Sequence, residues 1–208
     1  MDAPIEILSQ LKQGNARYAA GQSDHTELIN PARRSKLVAG QAPLAVIVGC
    51  ADSRVPAEIV FDQGLGDLFV IRVAGNVVAP SQIGSVEYAA EHCGTRLVIV
   101  LGHSSCGAVQ ATLGELQQPT EGGSPNIKSI IKRISPAVAP LLATDLKNDE
   151  IALMQAAVKA NVQASANQLR NGSAILEQLI KNQGLLVVGA EYDLATGIVD
   201  FFDGMPKG

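Results

Sequence analysis

The sequence predicts an α/β fold in which a mainly parallel central sheet is flanked by helices. Four short, nearly continuous apolar runs have the pattern of strands buried on both faces, at residues 44–49, 68–73, 97–102 and 185–189. Longer stretches with helical spacing alternate with these runs, as connections between parallel strands require. The length of 208 residues suits one domain with a substantial apolar core.

The chain reads as a single domain over residues 1–208, without internal repeats or low-complexity segments. Composition and spacing divide it into an N-terminal helical arm over about residues 1–40 and an α/β core over about residues 41–208. We therefore expect the chemistry to lie in the core and the arm to cover an apolar surface.

The arm opens with a predicted helix over residues 4–20. Ile5, Leu8 and Leu11 recur at helical spacing and form an apolar stripe that must cover another surface. A second short helix is predicted over residues 31–39, where the basic side chains form a solvated face.

The remaining elements are predicted from the same two patterns, helical spacing and short apolar runs. Helices are predicted over residues 81–92, 106–116, 126–142, 149–170 and 173–182. A last apolar run over residues 198–202 follows a turn at residues 195–197, and it predicts an edge strand added to the sheet.

Composition excludes several classes of partner. The net charge is −4 and the basic residues are scattered, so an extended nucleic-acid surface is not expected. No segment reaches the apolar length that spans a bilayer, and the N-terminus lacks the apolar core of a signal peptide. The three cysteines cannot all pair with one another and form no CxxC motif, which favours metal binding in the reducing cytoplasm.

Candidate metal ligands stand where two of the predicted strands end. Cys50 directly follows the run at residues 44–49, and His103 directly follows the run at residues 97–102, with Cys106 three residues later. Ligand sites of open parallel sheets lie outside the carboxyl ends of the strands, so these side chains are expected to converge. Two thiolates and one imidazole suit Zn²⁺, and three protein ligands leave a fourth position for water or substrate.

Charged and backbone groups that could act on a metal-bound water lie close by in sequence. Asp52 can accept a hydrogen bond, and Arg54 can hold that carboxylate in place. Gly107, near the start of a predicted helix, offers an unobstructed amide. The alternative is that Cys50 and Cys106 are only buried core residues and His103 is a hydrogen-bonded core histidine, which the joint arrangement makes the weaker interpretation.

Two motifs resemble the signatures of β-class carbonic anhydrases: CADSR at residues 50–54 and GHSSCG at residues 102–107. The resemblance extends through FVIRVAGN at residues 69–76 and SVEYA at residues 85–89. It implies the β-carbonic anhydrase fold and reversible hydration of carbon dioxide to bicarbonate and a proton.

The resemblance also assigns roles to the candidate residues. It implies one Zn²⁺ per chain, with Cys50, His103 and Cys106 as its ligands. It implies that Asp52 and Arg54 form a dyad that orients the zinc-bound hydroxide.

The family has two pocket types, and the residues favour the plant-like one, type I. In that type glutamine, phenylalanine and tyrosine surround the metal-bound water, and Gln41, Phe69 and Tyr88 stand at the matching places. The other type has a tryptophan shortly before the first zinc cysteine, where this chain has Ile47. Phe69, Val73 and Ala74 would supply apolar walls for a neutral linear substrate, and the Gly107 amide could hydrogen-bond an oxygen of the substrate or of nascent bicarbonate. Arg72 and Tyr192 still match members of the second type's bicarbonate site.

The resemblance further implies an assembly of subunits. Pockets of the β class form between two chains, so Gln41, Phe69 and Tyr88 are expected to face the zinc of a partner. The N-terminal helix is expected to pack on that partner, in a homodimer or in a tetramer of two dimers. Carbon dioxide and bicarbonate are the expected small-molecule partners.

Two other functions remain open from the residues alone. A hydrolase of carbonyl sulfide or carbon disulfide could use the same scaffold, because these molecules resemble carbon dioxide in shape and fold does not fix function. A noncatalytic zinc-stabilised binding or redox-sensing module is the second alternative. Such a module would be expected to supply four protein ligands rather than three.

Overall fold

A computed structural model describes residues 3–24, 26 and 28–206 of the chain. Its centre is a sheet made of five strands: β1 Ala45–Gly49, β2 Leu68–Arg72, β3 Leu97–His103, β4 Leu186–Tyr192 and β5 Val199–Asp203. Eight α-helices surround this sheet within the described residues: α1 Pro4–Ala19, α2 Pro31–Lys36, α3 Ala57–Val60, α4 Pro80–His92, α5 Gly107–Gln117, α6 Pro125–Val138, α7 Glu150–Asn171 and α8 Ala174–Gln183.

The strand order is β2-β1-β3-β4-β5. The first four strands pair in parallel, and β5 adds to the edge of β4 in the antiparallel direction. The predicted α/β class with a mainly parallel sheet is therefore confirmed, together with the late edge strand. The carboxyl ends of β1 and β3 lie next to each other in the middle of the sheet.

Helices cover both faces of the sheet, which explains the unbroken apolar runs. Along β1, Ala45 and Ile47 pack on one side with α1 and α3, whereas Val46 and Val48 pack on the other side with α4, α7 and α8. All four of these side chains are fully buried. A strand with two buried faces has no polar side to show in its sequence.

The helix predicted over residues 126–142 is shorter than expected. It is α-helical as Pro125–Val138 and continues as a 3₁₀ segment over Ala139–Ala143. Pro140 has no N–H to donate to the preceding turn, so the α-helical ladder stops there. The short helix α3 and the 3₁₀ turn Ala74–Asn76 were not predicted, because neither is long enough to show a period.

The apolar stripe of α1 is covered mostly within its own chain, and packing of this helix on a partner subunit stays a prediction. Leu8 and Leu11 are buried in the core of their own chain, and only Ile5 is exposed. The buried Asn15 fixes this docking, since its Nδ2 donates to the carbonyl oxygens of Val60 and Gly197 at 3.1 and 2.8 Å. The stripe already has its apolar cover within the chain, so a partner is not needed to bury it.

Among the described residues, none of the helices combines the length and the apolar character needed to cross a bilayer.

The close docking of α1 predicts unequal effects of the same substitution in two helices. A Cβ added at Gly14 of α1 would overlap the backbone carbonyl of Phe61, whereas a Cβ added at Gly84 of α4 would meet open space. We expect Gly14→Ala to lower the free energy of unfolding by more than about 2 kcal/mol, because helix and carbonyl must separate. Gly84→Ala should raise it by about 0.5–1 kcal/mol through lower chain entropy. Urea unfolding of both variants measures the two effects, and equal values would contradict the packing of α1.

Candidate metal centre

The three predicted ligands converge at the carboxyl ends of two adjacent strands. Cys50 follows the last residue of β1, His103 is the last residue of β3, and Cys106 is the N-cap of α5. One potential ligand atom from each lies within 4.8 Å of the other two. All three residues are buried, so the chain itself excludes most water from this group.

The chemistry of the donor atoms fits a metal ion. The Nδ1 of His103 lies 2.9 Å from the carbonyl oxygen of Ser104, which can only accept, so Nδ1 carries the proton. This leaves the Nε2 lone pair free, and Nε2 is buried without a hydrogen-bond partner in the part of the chain that the structure describes. A buried nitrogen acceptor without a donor is costly unless a cation binds it.

The two sulfur atoms point to the same conclusion. A hydrogen bond from the Cys106 thiol is the main cause that lowers the pKa of Cys50 to about 4, and the Gly75 amide contributes. The same contact raises the pKa of Cys106. The two sulfurs therefore share one proton, and a divalent cation would allow both to be thiolates.

Asp52 and Arg54 form a closed ion pair beside this group. The Nε and Nη2 atoms of Arg54 donate to Oδ1 and Oδ2 of Asp52 at 2.9 and 2.7 Å, and the Arg54 backbone amide donates to Oδ1 at 3.0 Å. These bonds hold the pKa of the Asp52 carboxyl well below its usual range. Its Oδ2 lies 3.8 Å from Nε2 of His103, so an ionised carboxylate adjoins the ligand atoms.

Arg72 has a role here that the sequence interpretation missed. Its Nε donates to the carbonyl oxygen of Cys50 at 3.0 Å, and its Nη2 donates to the carbonyl oxygen of Asp52. The guanidinium thus braces the loop that carries both a ligand and the carboxylate. An arginine that ends an apolar strand, as in LFVIR at residues 68–72, is the signal that could have indicated such a brace.

The predicted pocket residues fall into two groups. Val73 packs against the buried cluster that contains Cys50 and Cys106, and its carbonyl oxygen accepts from the amide of Ala51 at 3.2 Å. Ala74 follows Val73 directly and begins the 3₁₀ turn. Gly107 begins α5 directly after Cys106, and a Cβ there would meet open space. The assignment of these three residues to the substrate pocket stays a prediction.

Phe69 and Tyr88 do not meet the ligands of their own chain. Phe69 pairs with Val46 in the sheet, four residues before Cys50, which is roughly 13 Å at the usual rise per residue. The rings of Phe69 and Tyr88 pack together with centroids 6.3 Å apart, and Tyr88 is 51% exposed. Gln41 is also exposed, on the segment before β1. Cys93, half-buried at the end of α4, is not a member of the ligand group.

Comparison with known proteins agrees with this geometry. The family model described as carbonic anhydrase matches residues 45–199. Carbonic anhydrase 2 of Mycobacterium tuberculosis is 39% identical over 194 residues, which cover 93% of this chain and 90% of that protein. A carbonic anhydrase of Mycolicibacterium smegmatis is 40% identical over 199 residues, covering 95% and 92%.

Solved structures give the same result for the fold. One of two tetrameric β-carbonic anhydrases from Sordaria macrospora superposes with a TM-score of 0.75 at 27% identity, covering 98% of each chain. The β-carbonic anhydrase CcaA superposes with a TM-score of 0.72 at 26% identity, covering 98% of this chain and 91% of the other.

The ligand geometry predicts which cysteine variants lose the metal. We expect the purified chain to hold about one Zn²⁺, and Cys50→Ser to hold less than about a tenth of that after dialysis against a mild chelator, because a thiolate ligand is lost. Cys93→Ser is the matched control and should keep the full content. Elemental analysis by mass spectrometry gives the stoichiometry, and equal losses in both variants would refute the assignment of ligands.

Proposed function

The chain belongs to the carbonic anhydrase family, in its β class, and we propose that it interconverts carbon dioxide and bicarbonate at one Zn²⁺ held by Cys50, His103 and Cys106. The observation that supports this most directly is a carboxylate fixed next to a set of only three protein ligands. Three ligands leave one tetrahedral position for a reacting molecule. Carbonic anhydrase activity is favoured over the two alternative functions, because the family model and the relatives reported above are all carbonic anhydrases.

Zinc bound there would lower the pKa of a coordinated water and so supply a hydroxide nucleophile. Asp52 is the group of this chain that aims the attacking oxygen. Because Arg54 keeps the carboxylate ionised, Asp52 can only accept, so it orders the hydrogen of the attacking oxygen toward itself. A lone pair of that oxygen then faces the carbon of carbon dioxide. Arg54 and Arg72 keep this acceptor and its loop in place.

The neighbouring residues suit a neutral linear substrate that becomes an anion. Val73 and Ala74 supply apolar walls beside the ligands. Gly107, in the first turn of α5, offers an amide at the positive end of the helix dipole, where negative charge on the nascent bicarbonate is stabilised. We assign these three residues to substrate binding.

A second copy of the chain completes the pocket in this proposal. Gln41, Phe69 and Tyr88 are the residues that the type I pocket requires, and the distance of Phe69 from its own ligands supports a role at the partner's site. Exposure of Tyr88 supports this as well, because a large aromatic surface is available for burial. We propose a homodimer, and the tetrameric Sordaria macrospora enzymes support further pairing of dimers.

The three positions that bear on the second pocket type are engaged in contacts within the chain, which supports type I. Ile47 is fully buried within the sheet. The hydroxyl of Tyr192 lies 3.1 Å from that of Tyr18, and Arg72 donates to the carbonyl oxygens of the ligand loop.

We also propose that residues 1–208 form one domain and that the protein works in the cytoplasm. The hydrogen bonds of Asn15 to Val60 and Gly197 support a single domain, because they join the arm over residues 1–40 to the core over residues 41–208. The free thiols of Cys50 and Cys106 support a reducing compartment, since oxidation would abolish their binding to a metal.

Loss of the Asp52 charge should separate metal binding from turnover. We expect Asp52→Asn to keep its zinc and to lose at least about 100-fold in kcat/KM for carbon dioxide, because an ionised acceptor disappears while every ligand remains. Asp200→Asn, which breaks the exposed pair with Lys159, is the control and should retain full activity. Stopped-flow hydration assays with metal analysis test both variants. Loss of zinc in Asp52→Asn would instead assign Asp52 a structural role. In the wild type, faster turnover of carbonyl sulfide than of carbon dioxide would favour the alternative hydrolase function.

Mixed dimers test whether the pocket is shared between chains. His103→Ala should abolish turnover through loss of a ligand, and Phe69→Ala should impair the partner's pocket. Refolding the two variants together should raise activity above the mean of the two variants refolded alone, by up to about a quarter of wild-type activity, because half of the dimers are mixed and each has one intact site. No recovery in mixtures whose subunits exchange would place Phe69 at the zinc of its own chain.

A further inference from the structure

Two buried side chains of α7 hold the loop that follows β2, and the proposed mechanism leaves both without a role. Asn161 donates from Nδ2 to the carbonyl oxygen of Gly75 at 2.8 Å, and Ser165 donates from its hydroxyl to the carbonyl oxygen of Asn76 at 3.0 Å. Asn161 is 2% exposed and Ser165 is 6% exposed. The two residues are four positions apart, so they lie one above the other on the same face of the helix.

The held loop touches a metal ligand. The amide of Gly75 donates to the Sγ atom of Cys50 at 3.3 Å. One residue therefore has its carbonyl oxygen fixed by α7 and its N–H directed at the ligand sulfur. A shift of Gly75 relative to α7 would lengthen or break the N–H···S bond.

The loop does not adopt this conformation by backbone preference alone. Gly75 and Asn76 have φ values of 69° and 44°, in the left-handed region. Asn76 has a Cβ, so this conformation is disfavoured for it unless surrounding contacts stabilise it. The hydrogen bonds from Asn161 and Ser165 are those contacts on the side of α7.

The position of α7 is itself fixed by the sheet. A Cβ on Gly102 of β3 would lie 2.5 Å from Cγ2 of Val162, and a Cβ on Gly189 of β4 would lie 2.9 Å from Cγ1 of the same residue. Both strands lack a side chain at this place, so the fully buried Val162 packs directly on the backbone. The distance from Asn161, the preceding residue, to the loop after β2 is thereby fixed by the sheet.

We propose that Asn161 is a positioning residue for the metal thiolate, assisted by Ser165. By fixing Gly75, it keeps an N–H on the Cys50 sulfur and withdraws electron density from that ligand. Two thiolates donate much charge to a divalent zinc, and a hydrogen bond to one of them reduces this donation. This inference rests on zinc being bound by the three ligands of the proposed function, but it concerns the strength and electronics of binding rather than turnover.

The decisive variant is Asn161→Leu, which removes the donor at similar volume. Its zinc affinity, measured by competition with a chromogenic chelator, should fall about 10–100-fold, because Gly75 and the Cys50 sulfur that it contacts are no longer held in the binding geometry. In the cobalt-substituted protein, the sulfur-to-cobalt charge-transfer band should move to longer wavelength, because a thiolate without its hydrogen bond gives up an electron more easily. Gln163→Leu removes an exposed amide from the same helix and should leave both readouts unchanged.

Ser165→Ala keeps the test decisive if Asn161→Leu fails to fold. It removes one hydrogen bond to the same loop and should shift both readouts in the same direction, with a few-fold loss of affinity. Wild-type affinity and an unmoved band in a folded Asn161→Leu, or in Ser165→Ala when the first variant is unfolded, would overturn the inference. A purely structural role would lower the unfolding temperature and leave the band in place. A wild-type chain that binds cobalt and zinc but does not hydrate carbon dioxide would refute the proposed function alone.

Discussion

The parallel pairing of β1 with β3 is the constraint on which the metal centre depends. Gly49 is in register with Leu101, so the chain leaves β1 just as β3 approaches its last residue, His103. Cys50 is thereby presented beside that imidazole without any long loop. Both strands are buried on both faces, and a shift of register by one residue would turn each side chain toward the opposite layer of helices, against which it is not packed. Hydrophobic burial thus fixes the positions of the three ligands, although a buried imidazole nitrogen without a donor and two adjacent sulfurs are unfavourable when no metal is bound.

The sequence was sufficient for the elements that repeat a simple pattern. Apolar runs revealed the four parallel strands, and the residues that directly follow them revealed the ligands, because position at a strand end follows from chain order alone. The pairing of Asp52 with Arg54 was accessible for a similar reason, since two residues of chain separation leave little choice of partner.

Contacts between distant segments could not be predicted in the same way. The apolar stripe of α1 indicates that this face of the helix is buried, but it does not indicate which surface covers it. Only the folded chain shows that Leu11 lies in the core of the same chain. Arg72 could be assigned to substrate or to structure, and its two bonds to loop carbonyls are a property of tertiary distance. Asn161 gave no signal, because a single polar residue inside a long helix has the same pattern whether it faces solvent or a buried loop.

A thiolate-rich centre places a demand on the surrounding protein that a histidine-rich centre does not. Two anionic sulfurs cancel the charge of a divalent metal and weaken its effect on a coordinated water. The protein can oppose this only with positive charge or hydrogen-bond donors close to the sulfurs, since solvent is excluded from the buried group. The Gly75 amide at the Cys50 sulfur is such a donor, and the start of α5 at Cys106 supplies the positive end of a helix dipole; both are backbone groups. The direction of a backbone N–H does not depend on the side chain of its residue, so it must be set by how the loop and the helices pack. Gly102 and Gly189, which let α7 pack closely on the sheet, therefore affect the metal site as well as the fold.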